Sequence, residues 1–336
     1  MSSSVVEDAR SVRASRDNNP PTYFAISPLM LFPQTHGKFS VYLKIKDQFV
    51  LYAAGEEAFT PEHQRRLHEN GVELVYVLRE QKEQYERYVE DNLGEILANE
   101  QLPLKQRAGL FYETSTALIA DTMERALPNP LTERRFNRVQ KVVEAGIRFL
   151  MTTGSLKAMG SLISNDYRTY SHSVNVMVYT ASILNSYDLE REVMFRWSLG
   201  AMLHDLGKAL IPRPVLHREN TLAGEELVLF RSHPLKGVAL CAHIPLPQES
   251  LNAILFHHER QDGKGYPSGM AGEDIPLPVR VISVADAYDR LTSERPFAPR
   301  LSPFEALVYM RDEMQGAFDM DVYKHLVAVL SGASIV

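Results

Sequence analysis

Cysteine is nearly absent from this 336-residue chain, which has one, Cys241. An internal disulfide framework is therefore excluded, such usage suits a reducing compartment, and Cys241 reads as a small core residue. Long apolar runs are missing as well: no stretch reaches the roughly 18 residues that a spanning helix needs. Residues 1–20 are rich in Ser, Asp and Asn with no apolar run, so they read as neither signal peptide nor membrane anchor. A cytoplasmic protein without membrane insertion is expected. The third absence is positive charge, since 36 Lys and Arg against 42 Asp and Glu leave a net charge of -6. That balance gives no general attraction to DNA or to an anionic membrane, so a phosphate-bearing ligand must be held by a local site.

What is present describes an ordinary soluble protein, 45% hydrophobic and 23% charged, long enough for two domains and without a sequence repeat. Residues 1–21 read as a disordered tail ending at Pro20-Pro21. Phe39, Val41, Leu43 and Ile45 then alternate with polar or amphipathic neighbours, and Phe49-Val50-Leu51-Tyr52 follows Lys46-Asp47-Gln48, the pattern of a hairpin. Thr60 can cap a helix that has Pro61 at its first position, with Asn70-Gly71 as its stop before a second apolar run, 72–78. Residues 22–80 are thus expected to form a small α+β domain.

Residues 81–156 read as a helical connector, with Pro-free stretches at 106–127 and 133–150. Val139, Val142, Val143, Ile147 and Leu150 form an apolar stripe that serves either packing within the chain or a homodimer seam. From 157 to 336, capping and breaker signals predict an all-α bundle of about seven helices, which makes the chain mainly α.

Five of the eleven histidines, His172, His204, His233, His257 and His258, stand out by their neighbours. The run 197–206 is apolar nearly all round, as in a buried helix, yet it ends in His204-Asp205-Leu206-Gly207-Lys208. Burying an ionised aspartate without a partner costs several kcal/mol or more, so a cation is the economical explanation. Adjacent helical residues point about 100° apart, so His204 and Asp205 can address two metal positions with Asp205 as the bridge. Lys208 is placed one turn on from His204. Antiparallel packing would bring His172, at the start of a helix over 171–185, level with His204 at the end of the next. His257-His258 repeats the adjacent pair, and Asp286 adds a carboxylate within 281–291. Such a donor set can serve two metals with open positions for water and substrate.

Five segments, taken in order, resemble the motifs of HD-GYP phosphodiesterases: Tyr170-Ser171-His172; His204 to Lys208; His233-Pro234-Leu235-Lys236-Gly237; His257-His258-Glu259-Arg260-Gln261-Asp262-Gly263-Lys264-Gly265-Tyr266-Pro267; and Ala285-Asp286-Ala287-Tyr288-Asp289. The resemblance runs through about the last half of the chain and implies an HD-domain-like catalytic domain over 157–336; the domain over 22–80 is expected to be regulatory from its position ahead of it. It implies that His172, His204, Asp205, His233, His257, His258 and Asp286 ligate two divalent metals, iron or manganese. Some members carry a glutamate one turn before the first histidine that recruits a third metal; Arg168 stands there, so two are expected.

By the same resemblance cyclic di-GMP is linearised to pGpG, and onward to GMP, by a metal-bridging hydroxide. Asp205 and Lys208 are the expected catalytic residues, with Lys208 on the scissile phosphate unless it is only a solvated helix-end lysine. Asp262, Gly263, Gly265, Tyr266 and Pro267 would shape the substrate pocket, and Arg295 would contact a guanine base unless it forms a surface salt bridge. Family members often have a basic residue after the aromatic Phe297, but Ala298 and Pro299 follow here, which leaves another cyclic dinucleotide as an alternative substrate. A non-catalytic receptor is the rival reading, against which the complete ligand set argues. Expected partners are cyclic di-GMP, a second copy through the connector, and a diguanylate cyclase or other signalling protein.

Overall fold

The computed structural model describes residues 22–35, 37–125, 130–163, 169–218, 221–294 and 299–336, so the tail expected at 1–21 lies outside the described residues. Two compact units divide at Pro103/Leu104.

The first unit is built on a four-stranded antiparallel sheet of β1 (Tyr23–Ile26), β2 (Val41–Ile45), β3 (Gln48–Ala53) and β4 (Val75–Leu78), in the order β1-β4-β2-β3. β2 and β3 form the expected hairpin. Its two turn residues, Lys46 (φ 46°) and Asp47 (φ 64°), are both left-handed, the conformation whose twist matches paired strands. α1 (Pro61–Glu69) starts at a capping box in which the Thr60 hydroxyl accepts from the His63 N–H. The His63 imidazole accepts from the Thr60 N–H in return, taking the role usually held by Glu or Gln. Val41, Val75 and Val77 are buried on one face of the sheet. α2 (Lys82–Asp91) and α3 (Leu93–Ala98) also belong to this unit, with Tyr85 edge-on to Phe24 and Phe39.

The second unit holds α4 (Leu104–Arg125), α5 (Glu133–Leu150), α6 (Ser155–Ile163), α7 (Thr169–Asn185), α8 (Arg191–Leu203), α9 (Arg213–Leu216), α10 (Gly224–Arg231), α11 (His233–Leu240), α12 (Gln248–Phe256), α13 (Leu277–Thr292), α14 (Pro303–Asp312) and α15 (Met320–Gly332). α7 is its axis: Val174, Val176, Met177, Val178, Ile183 and Leu184 are all fully buried, because α4, α5, α8, α13 and α15 pack around it.

Three sequence expectations change. The connector over 81–156 is not a unit of its own: α2 and α3 fall in the first unit, and α4 and α5 in the second. The α5 stripe explains part of this, since Val139, Val142, Val143 and Ile147 are buried against neighbouring helices of the same chain instead of being offered to a second copy. The bundle has more than seven helices, because α9, α10 and α11 are only 4, 8 and 8 residues long, too short for a periodic signal. Finally, α8 stops at Leu203, and the chain tightens into a 3-10 turn over Leu206–Leu210. That turn presses on the start of α11 so closely that a Cβ on Gly207 would lie 1.9 Å from the His233 carbonyl oxygen, so only glycine fits.

Candidate metal centre and its cavity

The predicted ligands come from five places in the second unit. His172 lies in the first turn of α7, His204 and Asp205 just past α8, His233 at the first position of α11, His257 and His258 just past α12, and Asp286 within α13. Packing brings them together. Asp205, His233, His257 and His258 offer donor atoms within 4.8 Å of one another, as do His172, His204 and Asp205. Asp205 belongs to both groups: its Oδ1 is 3.4 Å from His233 Nε2, and its Oδ2 is 3.4 Å from His204 Nε2 and 3.6 Å from His172 Nε2. Asp286 Oδ1 completes the second group, 3.0 Å from His172 Nε2 and 3.9 Å from His204 Nε2.

Orientation of the rings follows one rule. The Nδ1 atoms of His204, His233 and His257 each meet the carbonyl three residues earlier, on Ala201 (2.7 Å), Phe230 (2.8 Å) and Ile254 (2.9 Å). A helix end makes this contact available locally, and with Nδ1–H donating there, Nε2 keeps its lone pair for the cluster. His172 sits inside a helix and needs another acceptor: its Nδ1 meets Asp289 Oδ2 at 2.7 Å, and the Asn175 amide donates to Asp289 Oδ1. Asp289, three residues from Asp286 on the same face of α13, and Asn175 were not foreseen as site residues; the i, i+3 spacing of the two aspartates was the available signal.

The donor set fits metal. His204 Nε2 and His258 Nε2 are buried without a hydrogen-bond partner, an arrangement that costs free energy unless a cation takes the lone pairs. His233 Nε2 and His257 Nε2 face each other at 3.3 Å, as two lone pairs converging on one ion would. Burial pushes His233 down to about 4 and holds His257 and His258 well below the usual imidazole range, so all three are neutral at pH 7. Burial pushes Asp205 upward, but Lys208, His204 and His233 outweigh it and hold the carboxyl well below its ordinary value. Asp286 is likewise raised by burial and lowered by more through Arg290 and His172. Lys208 faces Asp205 (Nζ to Oδ2, 2.7 Å), the consequence of the 3-10 turn replacing the expected continuous helix.

The loop after His258 is held by a residue that sequence reasoning passed over. Glu259 is buried, and its carboxylate accepts from the backbone N–H groups of Ser268 (2.7 Å), Gly269 (3.2 Å) and Met270 (3.0 Å). Gly265 passes so close to the preceding segment that a Cβ would lie 2.5 Å from Arg260 N. Tyr266 stacks on His258, with ring centres 4.6 Å apart. Beside them opens a cavity of about 460 Å³ lined by Arg231, His257, His258, Tyr266, Asp286 and Arg290 among others. Gly265 and Tyr266 are among the residues that line it. Asp262 instead turns to Arg260, accepting from Nε (3.0 Å) and Nη2 (2.7 Å), and Gly263 serves the turn with φ 70° and an N–H to the Arg260 carbonyl. Pro267 follows Tyr266 through a cis peptide bond. Arg168, Arg295 and Ala298 lie outside the described residues.

Residues 157–322 match the HD domain family. A cyclic di-GMP phosphodiesterase of Pseudomonas aeruginosa is 34% identical over 191 residues, covering 55% of this chain and 45% of that protein. A 3'3'-cGAMP-specific phosphodiesterase of Vibrio cholerae is 25% identical over 271 residues, 74% of this chain and 54% of that protein. The chain therefore spans about half the length of these curated relatives. Among solved structures, an HDG"Y"P protein from Bdellovibrio bacteriovorus superimposes with a TM-score of 0.62 at 22% identity, covering 92% of this chain and 100% of that one, which establishes the fold. Among the described residues, no helix is long and apolar enough to cross a membrane.

Proposed function

With residues 157–322 of its second unit an HD domain of the HD-GYP family, we propose that this chain is a metal-dependent phosphodiesterase that linearises cyclic di-GMP to pGpG and can continue to GMP. The observation that carries the reading is Asp205, one carboxylate shared by two converging donor groups. Asp205, His233, His257 and His258 would hold one divalent ion, iron or manganese, and His172, His204, Asp205 and Asp286 the other; when bound, the pair supplies positive charge for the phosphodiester and lowers the pKa of water.

This chain's own residues do the rest. Lys208, poised beside Asp205, donates to a non-bridging oxygen of the scissile phosphate and stabilises the charge that grows there. Water attacks phosphorus, the bond to the ribose 3′ oxygen breaks, and that oxygen leaves with a proton. Tyr266 against His258 forms a wall of the cavity, and Glu259 fixes the loop that carries it. Asp289 and Asn175 keep the His172 ring turned toward the cluster.

A second reading takes 3'3'-cGAMP as the substrate, favoured by the length of the match to the Vibrio protein. Incubating protein loaded with iron, manganese or nickel with each dinucleotide and separating the products decides between them. Linear pGpG supports the main reading, a linear mixed product alone supports the second, and no product with any metal leaves a receptor. The first unit would regulate the second in answer to a signal or partner, such as a diguanylate cyclase; the support for this is its place ahead of the HD domain.

A further inference from the structure

The cavity is rich in cations for a chain with net charge -6: Arg231, Arg260, Lys264 and Arg290 all line it, against Asp286 as its one lining carboxylate. Most of that charge is already engaged. Arg260 makes two hydrogen bonds to Asp262, and Lys264 Nζ lies 3.9 Å from the same carboxylate while its side chain is 80% exposed. Arg290 is 3.8 Å from Asp286, and Lys208, deeper in, is on Asp205.

Arg231 differs. It ends α10, two residues before His233, is exposed, and makes no ion pair among the described residues. Its guanidinium carbon lies 5.1 Å from the centre of the Tyr266 ring. A guanidinium laid over an aromatic face is restrained in plane while its N–H edge stays free, and that edge matches two oxygens of a phosphate. The ligand class reinforces the assignment. A cyclic dinucleotide carries two phosphates, and the metal cluster with Lys208 serves one of them; the other needs a cation elsewhere in the cavity.

We infer that Arg231, restrained by Tyr266, binds the phosphate of the cyclic dinucleotide that is not being cleaved. This rests on reading the cavity as a cyclic dinucleotide site. Its consequence is a preference for two-phosphate ligands over simple diesters, expressed in binding more than in the chemical step.

The test uses the full chain, Arg231→Gln and Arg231→Lys, with both equilibrium binding by calorimetry and steady-state kinetics. In Arg231→Gln, Kd and KM for cyclic di-GMP rise by about tenfold to a hundredfold, the range of a lost charge-assisted contact, while kcat falls by less. Arg231→Lys recovers part of the loss, since the charge returns without the fork. The losses for cyclic di-GMP and 3'3'-cGAMP are equal, and the loss for bis(p-nitrophenyl) phosphate, which has one phosphate, is smaller. Unequal losses for the two dinucleotides would make Arg231 a base contact and overturn the inference, as would unchanged Kd and KM in Arg231→Gln. Binding without turnover in the wild type, weakened by Arg231→Gln, would end the enzymatic reading while leaving the phosphate contact standing.

Discussion

The first unit buries no Asp, Glu, His, Lys or Arg among its described residues, whereas the second buries His172, His204, Asp205, Lys208, His233, His257, Glu259, Asp286 and Asp289 within one region. Both units are stabilised by apolar burial, but only the second accepts the cost of desolvating charged and polar groups. Such groups are tolerated where each is oriented by a partner and the remaining lone pairs converge, as around Asp205. The contrast teaches where chemistry is concentrated. In the first unit a histidine, His63, closes a helix cap; in the second the same residue type, anchored through Nδ1, turns its other ring nitrogen toward the donor cluster.

The largest test of that contrast is Asp205→Asn. Losing the shared carboxylate should lower turnover of cyclic di-GMP by about a thousandfold or more and reduce bound metal, while far-ultraviolet circular dichroism stays that of the wild type. Turnover near the wild-type rate would place the chemistry outside the cluster.

Next comes Cys241, the one thiol in the chain and buried in the second unit. Burial pushes it from its ordinary 9.0 up to about 12. Native protein at pH 8 should therefore react with a thiol reagent about a thousandfold more slowly than unfolded protein. Because the folded value is the higher one, the stability linked to this thiol is complete below about 9 and is lost as pH rises toward 12. Rapid labelling of native protein at pH 8 would show the core of the second unit to be open.

A smaller effect is expected for Glu259→Gln, which replaces the charged acceptor of three backbone N–H groups. As a positioning residue it should raise KM by about tenfold, change kcat less, and quicken amide exchange at residues 268–270. An unchanged KM would mean that the loop holds its form without it. The smallest change is Thr60→Ala in the first unit, where losing the cap costs about 1 kcal/mol and hydrolysis should be unaffected. A fall in activity there would tie the first unit to catalysis and blur the contrast.

Local structure was legible wherever a short-range rule governs it. Thr60-Pro61, Asn70-Gly71 and the alternation around Lys46-Asp47 each announce a cap, a stop or a hairpin, because those signals act over four residues or fewer. Helices of 16 to 22 residues such as α4, α5, α7 and α13 show as Pro-free or apolar stretches, while α9, α10 and α11 do not, since one or two turns cannot display a period. The histidines and aspartates of the cluster were legible too, through the motifs that resemble the HD-GYP family and, for His204 and Asp205, through their place at the end of an apolar run. Their second partners were not: Asp289 meets His172 from 117 positions away, and no periodicity encodes that distance.

By itself, the sequence determined the donor types, their order, the caps and turns that end each helix beside a histidine, and the glycines that permit close approach at 207 and 265. Only the tertiary structure decided that Asp205 is shared, that Lys208 faces it, that Glu259 ties the loop, and that Arg231 lies over Tyr266. The physical reason is range: capping and turn chemistry act within a few residues, whereas which side chains converge is set by how α7, α8, α11, α12 and α13 bury their apolar faces against one another.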